Sequence, residues 1–206
     1  MKKLIIIGAG GFSSEVIEWA RHLNKFQNEW YVYGLLDDNK AGTNLDVPII
    51  GKIENYIPNS DEVFICAIGD PKIKYNICID FVKRGAQFIN LIHPTAIIGE
   101  SAIIGKGIIL CPYSVIAAKA NIGDFVTINL HSTVGHNAVV KSGCTISSHC
   151  DITGFVNLEE CVFIGSHSSI IPSVKVGKGA KIGAGSIVIR NVRENVTVFG
   201  NPAHEI

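Results

Sequence analysis

The most constraining feature of this 206-residue sequence is an aliphatic residue at every sixth position from Ile98 to Val188. A second residue, mostly small or β-branched, follows each of them by four positions. A helix with 3.6 residues per turn would scatter these positions around its axis, whereas a hexapeptide repeat is the signature of a parallel β-helix. Three hexads make one triangular coil, so the register predicts about five stacked coils without an inserted loop.

The chain before the repeat has the pattern of a parallel α/β sheet. Residues 3–7 form a short run that is continuously apolar from Leu4 onwards, as expected of a strand buried on both faces. They lead into the glycine-rich turn Gly8-Ala9-Gly10-Gly11, after which Ser13 or Ser14 is expected to cap a helix. A strand, a glycine turn and a helix N-terminus can together hold a phosphate. Ser13 stands where the dinucleotide fingerprint has its third glycine, so that fingerprint is incomplete.

Three further segments complete the predicted sheet. A second strand over residues 31–36 ends at Asp37 and Asp38, and a third over residues 61–68 ends at Gly69. Residues 87–92 are expected to form a further strand. The ends of parallel strands meet at one edge of a sheet, where such folds bind ligands. We therefore expect Gly10, Gly11, Asp37, Asp38 and Gly69 to cluster there.

A second helix is expected directly after Gly69. Asp70 and Pro71 are suited to be its N-cap and its first residue, and Gly85 is suited to end it. Its apolar face is predicted to contain Ile73, Ile77 and Phe81. The change of pattern near residue 92 then predicts two domains, a Rossmann-like α/β domain of residues 1–92 and a β-helix domain of residues 93–206.

Composition excludes several classes of protein. Lys and Arg total 18 and Asp and Glu total 18, so no cationic surface indicates nucleic-acid binding. No apolar run approaches the roughly 20 residues of a membrane span, and a cytoplasmic protein is expected. The six cysteines lack metal-binding spacing and are expected to be reduced packing residues.

The histidines of the repeat fall into two groups. His131, His149 and His167 are 18 residues apart, so they are expected to form a vertical ladder on one corner of the β-helix. His136 follows the aliphatic Val134 by two positions, where a side chain can point outward from a face. Packing does not require a histidine there, which makes His136 a candidate functional residue, with simple surface decoration as the alternative.

Several motifs in order resemble one known family. They are Ile7-Gly8-Ala9-Gly10-Gly11-Phe12, Leu36-Asp37-Asp38, Ala67-Ile68-Gly69, Leu91-Ile92-His93-Pro94, the stretch from Ile128-Asn129 to Gly135-His136-Asn137, and Phe199-Gly200-Asn201-Pro202-Ala203. The chain resembles hexapeptide-repeat sugar acyltransferases related to the sialic acid O-acetyltransferases. It is most similar to the N-acetyltransferases of nucleotide-linked 4-amino-4,6-dideoxy sugars of the bacillosamine, perosamine and viosamine type.

This resemblance implies a left-handed β-helix, a homotrimer with active sites between subunits, and acetyl-CoA as co-substrate without a metal. It also implies a role in making O-antigen or another surface glycan. The nucleotide-linked amino sugar would be bound partly by the N-terminal domain. The matching substrate-binding positions are Gly10, Gly11, Phe12, Asp37, Asp38, Gly69 and Asn129.

The resemblance also implies roles in the reaction. His136 matches the general base, and Asn137 follows it where many relatives have Asp or Glu. Thr145 replaces a second histidine near the thioester, and Gly154 matches the residue whose backbone N–H approaches the thioester carbonyl. Gly165, Gly183 and Ala184 match the stretch along the pantetheine arm, and Lys181 is one of several basic residues near the coenzyme A phosphates.

The sequence leaves two alternative activities open. One is O-acetylation of a free sugar such as sialic acid, which needs the same base. The other is a zinc enzyme of the γ-carbonic anhydrase type, because His131 and His136 superficially match its ligand spacing, although Thr95 stands where its third histidine would be. The sequence does not indicate whether the nucleotide is UDP, dTDP or GDP.

Overall fold

The computed structural model describes residues 1–27, 29–39 and 45–206. Its N-terminal part contains a parallel four-stranded sheet of order β3-β2-β1-β4 and two helices. The elements are β1 (Lys2–Ile7), α1 (Gly11–Gln27), β2 (Trp30–Leu36), β3 (Ile49–Gly51), β4 (Glu62–Cys66) and α2 (Pro71–Lys83). The three longer strands and both helices were predicted, and β3 was not.

The central strand β1 is buried on both faces, as its continuous apolar run predicts. Leu4 and Ile6 pack in one cluster with apolar residues of α1, and Ile5 and Ile7 pack in another with Phe81 of α2. The α1 residues predicted to share a face are all buried, namely Val16, Ile17, Ala20 and Leu23. Alternating side chains of one strand therefore join the sheet to a helix on each side.

The predicted cap of α1 is wrong. The helix begins at Gly11, and the N–H of Ser13 already donates to the carbonyl of Gly10 at 3.0 Å. The Ser13 hydroxyl donates to the carbonyl of Gly8 at 2.9 Å, and the Ser14 hydroxyl donates to that of Gly11. Both serines lie inside the first turn because the chain enters the helix directly from the glycines.

Helix α2 begins and ends as predicted, but its buried face differs from the predicted one at Ile73. Asp70 is the N-cap, Pro71 is the first residue, and Gly85 follows the end with a φ of 92°. Ile73 is 54% exposed, whereas Lys74, Cys78 and Phe81 are buried. Phe81 is buried and Ile77 is half-buried in the same cluster, as predicted. The prediction is wrong for Ile73, because the lysine that follows it points inward and finds polar partners on the β-helix.

Replacing Asp70 with alanine is expected to lower the free energy of unfolding by about 1 kcal/mol, because the Asp70 carboxylate accepts a hydrogen bond from the N–H of Ile73 at 2.9 Å. Urea unfolding followed by circular dichroism measures the loss. Asn76→Ala, at an exposed position inside the same helix, is the matched control and should cause no loss. Equal stability of the two variants would contradict the capping role.

Residues 87–92 do not form one strand of the N-terminal sheet. Phe88 makes a single bridge to Phe64 of β4, and Leu91–Ile92 forms β5, which pairs with Ile109–Leu110 of the β-helix. The segment crosses from the N-terminal sheet to the β-helix, so it is too short to pair along its length with both sheets. The division into domains at residue 92 remains a prediction.

The rest of the chain is a left-handed parallel β-helix with three sheets of stacked short strands. Two-residue strands begin with β5 and continue through β6 (Ile97–Ile98), β7 (Ile103–Ile104), β8 (Ile109–Leu110), β9 (Val115–Ile116), β10 (Asn121–Ile122), β11 (Thr127–Ile128), β12 (Thr133–Val134), β13 (Val139–Val140), β14 (Thr145–Ile146), β15 (Asp151–Ile152), β16 (Asn157–Leu158), β17 (Phe163–Ile164), β18 (Ser169–Ile170), β19 (Lys175–Val176), β20 (Lys181–Ile182) and β21 (Ile187–Val188). A hairpin of β22 (Thr197–Gly200) and β23 (Ala203–Glu205) closes one sheet.

The coil register is the one that the hexads predict. Each strand pairs with the strand 18 residues away, as Ile128 does with Ile146 and Ile146 with Ile164. The aliphatic positions are buried from Leu110 to Val188, and only those of the first coil are half-buried. The corner residues three positions after them, such as Asn137, have φ near 60°.

The α/β part lies against the first coils of the β-helix. Ile109 and Cys111 share a buried cluster with α1, and Phe125 shares one with Phe81 of α2. This packing places the ends of the N-terminal strands next to the sheet that contains β11, β14 and β17. No helix within the described residues is sufficiently long and apolar to cross a bilayer.

Candidate active site

The glycine-rich turn and the strand ends meet as predicted. One carboxylate oxygen of Asp37 accepts the N–H of Ala9 at 2.8 Å, which ties the end of β2 to the turn after β1. Asp38 accepts the N–H of Glu54 at 3.1 Å. A Cβ added at Gly10 or Gly11 would meet no atom within 4 Å, so the turn leaves open space beside it.

Asp37 also lines a cavity of about 550 Å³ together with Ile49, Ile50, Gly51 and Lys52. These last four residues were not predicted, because β3 is only three residues long and has no alternating pattern. The cavity combines a carboxylate, an ammonium and apolar side chains. It is large enough for a small organic group with polar edges.

A second cleft, of about 280 Å³, lies between α1, the turn after β4 and the β-helix. It brings together four predicted site residues, Phe12, Gly69, Asn129 and Thr145. The other residues that line the cleft were not predicted, and they are Glu15, Thr127, Ser147 and Phe163. Three of these could have been identified from the 18-residue spacing of the coils. Thr127 and Phe163 lie one coil before and one coil after the predicted Thr145, and Ser147 lies one coil after the predicted Asn129.

His136 projects from another part of the β-helix and is exposed. Its Nδ1 lies 3.1 Å from the side-chain oxygen of Asn137, and its ring meets the Phe155 ring edge-on at 5.1 Å. An amide oxygen only accepts, so this contact is a hydrogen bond when Nδ1 carries the proton, and that tautomer leaves the lone pair of Nε2 free. The sequence prediction of an outward-facing imidazole is confirmed, and Nε2 can accept a proton there.

Gly154 lies directly beside this imidazole in the next coil. A Cβ added at Gly154 would come within 2.8 Å of Nε2 of His136, so any side chain would displace the ring. Within the described part of the chain, the N–H of Gly154 donates no hydrogen bond. A potential base and an available amide donor therefore stand side by side, while their catalytic roles remain predictions.

Replacing Gly154 with alanine is expected to reduce activity by roughly 10²-fold, because the added methyl group moves the imidazole out of line. Steady-state turnover measures the loss, and the unfolding midpoint shows whether the fold is retained. Ser173→Ala, an exposed position one coil further along, is the control. Full activity of folded Gly154→Ala would show that the position of the ring does not matter.

The residues predicted to contact coenzyme A are only partly brought together, with Gly165, Gly183 and Ala184 adjacent to one another. A Cβ at Gly165 would lie 2.6 Å from the backbone nitrogen of Ala184, and one at Gly183 would collide with the Phe199 ring. Backbone packing between coils therefore accounts for the glycine at 165, and the Phe199 ring accounts for the one at 183. Lys181 is exposed and lines a cleft of about 220 Å³ with Gly69, Asp70, Pro71 and Phe163. His136 does not line this cleft or the adjoining one of about 230 Å³ that Lys181 also lines.

The predicted histidine ladder is confirmed. The rings of His131 and His149 are parallel within 8° with centroids 5.0 Å apart, and those of His149 and His167 are 4.8 Å apart. Tyr113 stacks on His131 at the other end. Across residues 1–27, 29–39 and 45–206, no group of three or more His, Cys, Asp or Glu side chains could hold a metal ion.

A hexapeptide β-helix with an outward imidazole, joined to a parallel α/β sheet, defines the class of hexapeptide-repeat transferases. Residues 3–81 match the family model of the PglD N-terminal domain, and residues 155–190 match that of the bacterial transferase hexapeptide (six repeats). The acetyltransferase domain of PglB from Neisseria gonorrhoeae FA1090 superposes with a TM-score of 0.91 and 30% identity, covering 100% of both chains. The chain therefore belongs to the PglD and PglB family of hexapeptide-repeat sugar acyltransferases.

Two more similar proteins are informative. PerB from Caulobacter crescentus, whose structure was solved with CoA and GDP-perosamine, has a TM-score of 0.90 and 27% identity over 100% of this chain and 98% of its own. GDP-perosamine N-acetyltransferase from Escherichia coli O157:H7 is 28% identical over 129 residues, which is 61% of this chain and 58% of that protein. The chain spans 23%, 58% and 51% of the lengths of three curated relatives that it matches.

Proposed function

We propose that this protein is an acetyl-CoA-dependent N-acetyltransferase acting on the 4-amino group of a nucleotide-linked 4-amino-4,6-dideoxy sugar. The observation that carries the proposal is the pair formed by the His136 imidazole and Gly154, on a chain of this acyltransferase family. The solved structure of PerB with CoA and GDP-perosamine supports the two kinds of substrate.

The proposed reaction is direct transfer. The sugar amine attacks the carbonyl carbon of the acetyl thioester while Nε2 of His136 accepts a proton from the amine. The N–H of Gly154 donates to the oxyanion of the tetrahedral intermediate, and the C–S bond then breaks to release coenzyme A, with the imidazolium returning the proton to sulfur. Asn137 holds the imidazole in the required tautomer through its hydrogen bond to Nδ1.

The nucleotide sugar would be bound by the N-terminal region, residues 1–92. The free N–H groups at the start of α1, next to Gly10 and Gly11, favour binding of the diphosphate. The cavity beside Asp37 has room for the nucleobase. Asp38 lies at the same strand end, and its hydrogen bond from the N–H of Glu54 would stabilise this edge of the substrate-binding region. The sugar would extend towards Phe12, Gly69 and Asn129, which line the second cleft.

Residues 93–206 would carry the acetyl transfer in a homotrimer. His136 and the cleft lined by Asn129 and Thr145 lie on different parts of the prism within one chain, which favours a site completed by the neighbouring subunit. Acetyl-CoA would then lie between two prisms, with its pantetheine arm along Gly165, Gly183 and Ala184 and its phosphates near Lys181. Light scattering is expected to give three times the chain mass of 22.2 kDa.

The test is thiol release from acetyl-CoA with a panel of UDP-, dTDP- and GDP-linked 4-amino-4,6-dideoxy sugars, with free sialic acid as comparison. Thiol release with one nucleotide-linked amine, confirmed by the mass of the N-acetylated product, is the expected result and identifies the substrate. Activity with sialic acid alone would replace the proposal by O-acetyl transfer. Metal analysis of the purified protein tests the zinc alternative at the same time.

A further inference from the structure

Lys74 is a buried cation that the proposed reaction does not use. Its side chain is only 1% exposed, and its ammonium group points from α2 into the β-helix. It donates to the hydroxyl oxygens of Thr127 and Thr145, each at 2.9 Å, and to the carbonyl of Cys144 at 3.0 Å. All three N–H donors of a charged ammonium are therefore satisfied.

The described residues supply no carboxylate partner for this ammonium, since none of their ion pairs includes Lys74. The titratable groups that face it are the thiols of Cys66, Cys78, Cys144 and Cys161. Burial raises the pKa of the Cys144 thiol to about 12, so this thiol stays protonated. Burial lowers the pKa of Lys74 itself to about 8. The hydrogen bonds of Lys74 all go to hydroxyl and carbonyl oxygens. The pKa of the nearby Cys66 thiol is lowered, against the effect of burial, by its hydrogen bond with Cys78 and by the Lys74 charge. A buried ammonium held in this way is costly unless it serves the structure or the site.

The positive charge of Lys74 determines whether the hydroxyls of Thr127 and Thr145 donate or accept hydrogen bonds. An ammonium has no lone pair, so Thr127 and Thr145 can only accept from it, and their own hydrogens must point elsewhere. Both threonines line the cleft of about 280 Å³, where each hydroxyl can donate to a ligand. A neutral amine would have a lone pair and could accept one of these hydrogens.

The other walls of this cleft indicate the ligand chemistry. Phe12 and Phe163 provide apolar surfaces, Asn129 and Ser147 provide further hydrogen-bonding groups, and Glu15 provides an acceptor. The pKa of the Glu15 carboxyl is raised by partial burial and by the nearby Glu18. Aromatic walls with interspersed donors and an acceptor suit a sugar ring, whereas the carboxylate disfavours a phosphate.

We propose that Lys74 is a positioning residue, which fixes the hydroxyls of Thr127 and Thr145 as hydrogen-bond donors to an oxygen of the sugar substrate. This inference rests on the proposed function for the identity of the sugar. It concerns affinity for the sugar portion of the substrate, not the proton transfer at His136. A lysine that only joined α2 to the β-helix would affect stability and leave sugar affinity unchanged.

The test is calorimetric binding, which requires no turnover. Each member of the panel of UDP-, dTDP- and GDP-linked 4-amino-4,6-dideoxy sugars is compared with its nucleoside diphosphate alone. The ratio of the two affinities measures the contribution of the sugar. For Lys74→Met this ratio is expected to fall roughly tenfold, the effect of losing one or two hydrogen bonds, while nucleoside diphosphate affinity is kept. In turnover, the loss should appear mainly in KM for the nucleotide sugar.

Two further variants make the test specific. Thr145→Val removes one donor and should lower the ratio about threefold. Thr133→Val is the matched control, because Thr133 occupies the same hexad position but bonds to Asp151 instead of Lys74, and its ratio should not change. If Lys74→Met does not fold, the double variant of Thr127→Val and Thr145→Val replaces it.

The pH dependence gives an independent readout. In the wild type the affinity ratio should fall between pH 7 and 9, because Lys74 loses its proton near pH 8 and can then accept from a threonine hydroxyl. Lys74→Arg, which keeps the charge, should lack this fall. Binding of a nucleotide sugar without acetyl transfer would contradict the proposed function but not the role of Lys74. An unchanged ratio in folded Lys74→Met, or no preference of the wild type for any nucleotide sugar over its nucleoside diphosphate, would overturn the role of Lys74.

Discussion

Replacing His136 with alanine is expected to lower the turnover of acetyl transfer by about 10²–10⁴, the usual contribution of a general base. The physical reason is that an amine attacking a thioester must lose a proton as the new bond forms, and Nε2 of His136 is the available acceptor beside Gly154. Stopped assays of N-acetylated product give the rate. Because the imidazole is exposed, the variant should fold and assemble like the wild type, which light scattering and thermal unfolding check.

The matched control for this variant is His131→Ala. His131 is another exposed histidine of the same coil, but its ring stacks between those of Tyr113 and His149 at 5.0 Å from each. Its loss should change turnover only slightly. Full turnover in folded His136→Ala would contradict the proposed mechanism, and an equal loss in both variants would indicate a general disturbance of the coil.

Replacing Ile146 with alanine is expected to lower the free energy of unfolding by about 2–5 kcal/mol. Ile146 is fully buried in the middle of the prism, stacked between Ile128 and Ile164 of the adjacent coils. The interior of a narrow prism cannot close the resulting cavity without breaking the 18-residue register. Urea unfolding at one fixed protein concentration measures the change, because association would otherwise alter the apparent stability.

Ile103→Ala is the control for Ile146→Ala, since it removes the same atoms from a residue that is 64% exposed. Its effect is expected to stay within about 0.5 kcal/mol, as for most surface substitutions. If the two variants lost equal stability, burial along the prism axis would not be what holds the coils together.

The residues around Lys74 show where a sequence pattern misleads. Helical periodicity favoured Ile73, Ile77 and Phe81 as the buried face of α2, because a lysine is ordinarily exposed. The structure exposes Ile73 and buries Lys74, since the β-helix offers two hydroxyls and a carbonyl at that point. These partners lie 53 to 71 residues away in the chain, beyond the reach of any local pattern.

The sequence by itself determined everything that depends on the hexad register. The burial of the aliphatic positions, the three stacked sheets, the histidine ladder and the outward direction of His136 all follow from a repeat that is local and unbroken. A short period restricts each residue to one side of its strand, so neighbours along the chain specify its environment.

Only the tertiary structure decided how separate elements meet. The inward turn of Lys74, the cleft that joins Phe12 and Gly69 to Asn129 and Thr145, and the cavity that β3 forms with Asp37 each require the α/β part to dock on a particular face of the prism. That docking depends on the shapes and polar groups of both surfaces together. Periodicity within either partner specifies its own fold, but it does not specify which side of the other partner it will cover.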